Sequence, residues 1–100
     1  MRRVAARLRR GPFSSVQCAY LEISAPSIPD AIRRAVQNGA REVRVLPYFV
    51  LSGRHIRDDI PRILSAARKR WKRKASVILC PYLGYDERIV AVVKDRIRNG

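Results

Sequence analysis

The sequence is short of acid, of histidine and of cysteine. Eight Asp and Glu residues stand against 22 Lys and Arg, a formal net charge of +14 over 100 residues. Such a balance favours polyanions, whether nucleic acid, anionic lipid or a polycarboxylate ligand, and is silent about fold. His55 is the only imidazole in the chain. The two cysteines, Cys18 and Cys80, lie in apolar strand-like runs and read as buried thiols in a reducing cytosol, with no disulfide framework. No apolar run is long enough to span a membrane, and no h-region follows the basic N-terminus. Low-complexity segments, short-period repeats and linkers are likewise missing. With an apolar fraction of 47%, these features describe one globular, cytoplasmic domain over residues 1–100.

What is there alternates. Residues 1–10 have helical composition, with Val4, Ala5 and Leu8 as a short apolar stripe closed by Gly11 and Pro12. Residues 16–23 read as a strand with Glu22 near its carboxyl end. Ser27 then caps a helix with a proline in its first turn and Asp30 at the capping-box position. Ile28, Ala31, Ile32, Ala35 and Val36 give that helix one buried face, and Asn38 with Gly39 stops it. Residues 43–50 form a nearly continuous apolar run, the pattern of a strand buried on both faces. The run breaks at Ser52 and Gly53 and reaches His55.

A further helix is expected from Asp58 to Trp71, with Ile60, Ile63, Leu64 and Ala67 as its core stripe. It ends in RKRWKRK, residues 68–74, either a solvated terminus with Trp71 turned inward or a basic patch with a base-stacking aromatic. Residues 75–80 form another apolar strand, followed by the loop PYLG at 81–84. Asp86 caps a last helix whose apolar face is Ile89, Val90, Val93 and Ile97. Helices and strands in this order imply right-handed crossovers and a parallel sheet covered on both faces. Open α/β sheets place their chemistry at the carboxyl ends of the strands. His55 and Glu22 both fall there.

Three stretches carry a resemblance. They are YLEISAPSIP at residues 20–29, PYFVLSGRH at 47–55 followed by DIP at 59–61, and PYLG at 81–84. Together they resemble the small sirohydrochlorin chelatases of the CbiX/SirB type. The likeness covers the whole chain, and its most specific part is the histidine loop, His-x-x-x-Asp-Ile-Pro. It implies a three-layer α/β sandwich with a short parallel sheet, a chelatase-like half-domain. It also implies a lyase that inserts Co²⁺, Fe²⁺ or Ni²⁺ into sirohydrochlorin in cobalamin or siroheme synthesis. The metal is a substrate there, and no organic cofactor is implied.

The family pattern opens with an apolar strand ending in His-Gly-Ser, which this chain lacks, so the leading strand of the sheet and its histidine ligand are missing. The resemblance then leaves His55 as metal ligand and base and Glu22 as its partner. Arg54 and Arg57, with the turn at Ser52 and Gly53, would hold the substrate's carboxylates. It further implies a homodimer, and the strand edges left open by the missing strand point to association as well. Two other functions fit the residues: a non-catalytic tetrapyrrole or metal binder of this fold, and a basic nucleic-acid-binding module using residues 68–74.

Overall fold

The computed structural model describes the backbone of residues 2–13, 15–20, 25–48 and 54–100, and the side chains of these residues other than 2 and 54–57. Within them the order is α1 (Arg2–Leu8), α2 (Ile28–Gln37), β1 (Glu42–Val45), α3 (Arg54–Trp71), β2 (Ser76–Leu79) and α4 (Glu87–Arg98).

Helix α2 is built as its sequence directs. The Ser27 hydroxyl accepts the Asp30 backbone N–H at 3.2 Å, and a proline occupies the first turn, where its missing N–H costs nothing. Its other end is a Schellman turn. The Gly39 N–H donates to the Val36 carbonyl at 3.0 Å and the Ala40 N–H to the Ala35 carbonyl at 3.0 Å. Gly39 takes φ +100 there, backbone that a side chain resists. The same logic starts α4, where the Asp86 carboxylate accepts the Arg88 N–H at 2.9 Å.

Strands β1 and β2 pair in parallel, with Val43 opposite Val77 and Val45 opposite Leu79. Because side chains alternate along a strand, these four share one face of the sheet and Glu42, Arg44, Ser76 and Ile78 share the other. Helices α2 and α3 pack on the valine face. Ile28, Ile32, Val36, Ile60, Leu64, Ala67, Trp71 and Val77 form the core, with Leu64 fully buried. Trp71 is 9% exposed and carries the Arg70 guanidinium over its ring at 4.7 Å. The aromatic of the basic run is therefore spent in the core. Arg68 is also structural, its Nε donating to the Val77 carbonyl at 2.9 Å.

The α/β class and the short parallel sheet are as expected, but several boundaries differ. The strand read at residues 16–23 does not join the sheet over its described part. Residues 15–19 carry no strand pairing, and Tyr20 makes a single parallel bridge to Ser27. Apolar alternation makes a strand only where a neighbouring strand meets its backbone groups. The run at 43–50 pairs only up to Val45. It is not buried on both faces either, since Glu42 and Arg44 are exposed and Leu46 is 48% exposed.

Helix α3 starts at Arg54, four residues before the expected Asp58, and carries Pro61 inside it. Proline suggests a first turn because it lacks an N–H. Here the helix instead continues upstream and gives up one i→i−4 bond. Among the described residues α4 packs on none of the other elements, and Val92, Val93 and Ile97 are half exposed or more. The two cysteines are free and only half-buried.

Candidate functional site

The two strands end side by side, joined by the Cys80 N–H donating to the Val45 carbonyl at 2.8 Å. Beyond them the chain runs into residues 46–48 on one side and 80–85 on the other. Short connections reverse the chain between α2 and β1 and between α3 and β2. The helices therefore start at the carboxyl edge, with Ser27, Arg54 and Asp86 opening α2, α3 and α4 beyond the strands' ends. Helix N-termini carry partial positive charge, so this edge suits anions.

His55 lies in the first turn of α3, between Arg54 and Arg57, where no acidic residue balances the dipole. Sequence reading set the histidine in a loop ahead of the helix; the backbone sets it on the helix itself. That position fixes its backbone by hydrogen bonding, whereas a loop would leave it free to move. Glu22, Ser52 and Gly53 lie outside the described residues, as do the side chains of Arg54, His55 and Arg57.

The same edge carries residues that sequence reading passed over. Tyr48 is 46% exposed and Tyr82 43% exposed, next to Leu46 and Leu83, and Tyr85 is 81% exposed. Flat, apolar faces at the rim of a sheet suit a flat aromatic ligand. The available signal was the tyrosine just past each strand's apolar run. At the mouth of α4 the Arg88 guanidinium grips Asp86 through Nε and Nη2, both at 2.8 Å. This pairing, with the Arg88 N–H, holds the Asp86 carboxyl well below the usual carboxylate range. The Tyr85 hydroxyl donates to the Glu87 carboxylate, which pushes the phenol up. Elsewhere Asp59 pairs with Arg62, Asp30 with Arg33, Glu42 with Arg44 and Asp95 with Arg96. Among the described residues no three His, Cys, Asp or Glu side chains gather around one point.

Comparison with known proteins agrees with this geometry. The CbiX family model matches residues 1–100. The chain is 39% identical over 87 residues to a sirohydrochlorin ferrochelatase, chloroplastic, of Arabidopsis thaliana, covering 87% of this chain and 38% of the relative. It is 33% identical over 84 residues to a sirohydrochlorin cobaltochelatase of Sulfolobus acidocaldarius, covering 84% of this chain and 65% of the relative. The chain thus spans less than two thirds of either relative. A solved CbiX protein from Marinobacter aquaeolei VT8, named for cobalamin (vitamin B12) biosynthesis, superposes with a TM-score of 0.80. It covers 98% of this chain and 79% of its own at 22% identity, a likeness of fold. By fold, by motif and by descent, the chain belongs to the CbiX family.

Proposed function

We propose that this chain works in the insertion of a divalent metal, Co²⁺, Fe²⁺ or Ni²⁺, into sirohydrochlorin. The observation that carries the reading is the position of His55, on the first turn of α3 at the carboxyl edge of the sheet, in a chain of the CbiX family. Two relatives are named for that reaction, one with cobalt and one with iron.

The reaction exchanges two pyrrole N–H protons for one M²⁺. It needs a metal held weakly enough to be handed over and a base to take the protons. Neutral imidazole does both, as a borderline ligand for Co²⁺, Fe²⁺ and Ni²⁺ and as a base near neutral pH. In this reading His55 binds the incoming metal and accepts a proton, with Glu22 as the second oxygen donor and proton acceptor. Sirohydrochlorin is a polycarboxylate. Arg54 and Arg57 stand at a helix N-terminus, where cations oppose the dipole by about 0.3–1 kcal/mol each. A bound carboxylate would relieve that opposition, and the turn at Ser52 and Gly53 would let the substrate approach the backbone. The exposed tyrosines at the same rim offer the macrocycle a flat face. The free cysteines suit a reducing compartment, and we place the protein in the cytoplasm as a homodimer.

The test is metal binding. Titration with Co²⁺ followed by visible absorption is expected to give a ligand-field band in the wild type and at least roughly tenfold weaker binding in His55→Ala, the usual scale for losing a ligand-shell group. Loss of sirohydrochlorin metallation should accompany it. Equal Co²⁺ affinity in the two proteins would overturn the assignment of His55.

A further inference from the structure

The β1 edge that faces away from β2 is open, and its sequence reads as a lock for a second copy of itself. Ser76 and Cys80 donate to the carbonyls of Arg41 and Val45, so residues 41, 43 and 45 turn their backbone groups toward β2. By alternation Glu42, Arg44 and Leu46 turn theirs the other way. No described residue pairs with them: residues 15–19 form no ladder, and the sheet has two strands.

We propose that two chains pair antiparallel through this edge, β1 to β1 about a two-fold axis at Val43, making one four-stranded sheet. The proposal rests on the homodimer reading above and adds its interface. Centred on Val43, Glu42 of each chain lies opposite the partner's Arg44. Both residues carry the outward backbone groups, so each such pair exchanges two N–H···O bonds and an ion pair. The Val43 residues meet at the closer, non-hydrogen-bonded position. Every competing register is worse. An axis at Arg44 sets guanidinium against guanidinium, and one at Glu42 sets carboxylate against carboxylate. A shift to an odd register brings the valine face against the charged face.

Surface area argues the same way. The chain exposes 8329 Å², against about 5,800 Å² expected for a monomer of its mass. The surplus, roughly 2,500 Å², is on the scale that obligate dimers bury. An unprotected edge strand with opposite charges two residues apart repels neither itself nor a partner in this register.

Light scattering behind a sizing column tests the pairing, with far-UV circular dichroism to confirm folding. The wild type is expected as a dimer at micromolar concentration. Arg44→Glu, which sets carboxylates opposite one another in both pairs, is expected to weaken it at least about tenfold. Adding Glu42→Arg to that variant restores the complement and should restore the dimer. A second measurement reads the register directly: Val43→Cys, with Cys18→Ser and Cys80→Ser, should form a symmetric disulfide under mild oxidation, because the two Cα atoms come within bridging distance. A dimer indifferent to Arg44→Glu and uncrosslinked at residue 43 would overturn this interface while leaving the homodimer reading intact. A wild-type monomer would overturn both.

Discussion

Leu64 has no exposed surface and sits where α2, α3 and β2 meet. Cutting it to alanine removes buried methyl groups and leaves a cavity that the surrounding helices can only partly close. Leu64→Ala is expected to cost about 3 kcal/mol, which a urea melt of the two proteins would measure. A change below about 1 kcal/mol would mean that the core is loose at its centre. Leu64 was legible in the sequence because it recurs with Ile60, Ile63 and Ala67 at helical spacing. The tyrosines at the carboxyl edge were not. Nothing in the local pattern of Tyr48 or Tyr82 says that two loops 34 positions apart become neighbours once β1 and β2 pair.

Among the elements, the helices were the easier reading, because their signals are local. Ser27, Asp30 and Gly39 each act within one turn of their own backbone, so sequence alone places α2. Asp86 starts α4 in the same way and brings a pH dependence. Its folded pKa is depressed below that of an unfolded aspartate. Its stabilising contribution is therefore complete above about pH 4 and is lost as pH falls through the folded value. Asn caps without ionising, so the difference in Tm between wild type and Asp86→Asn should be constant above about pH 5 and shrink in stronger acid. Parallel acid unfolding of the two proteins would remove Asp86 from the account. Strands behave differently from helices. Residues 16–20 and 46–48 have strand-like composition, yet they form no ladder, because a strand's hydrogen bonds belong to its neighbour.

At the scale of the molecule, charge is the dominant number. Nearly three cations for every acid, with most described carboxylates already paired to arginines, leave a large positive surplus exposed. Attraction between such a surface and a polycarboxylate tetrapyrrole is screened over about 8 Å at physiological salt. Sirohydrochlorin affinity, followed by fluorescence, is expected to fall steadily as NaCl rises from 0.05 to about 0.5 M. A flat response would mean that shape and metal ligation, not charge, hold the substrate.

The sequence by itself determined what acts over short distances: the helix caps, the helical core stripe of residues 60–67, the inward turn of Trp71 and the family motif around His55. It also set the parallel order of the two strands, since a helix between them permits little else. Only the tertiary structure decided which runs became strands, where α3 begins and which edge of β1 stays open. The start of α3 at Arg54 shows why. Pro61 and Asp58 argue locally for a later start, but continuing the helix keeps backbone groups upstream paired, and each pairing is worth about 1 kcal/mol. The open edge of β1 follows from an absence of neighbours, and no residue in Glu42–Val45 can announce what lies beside it.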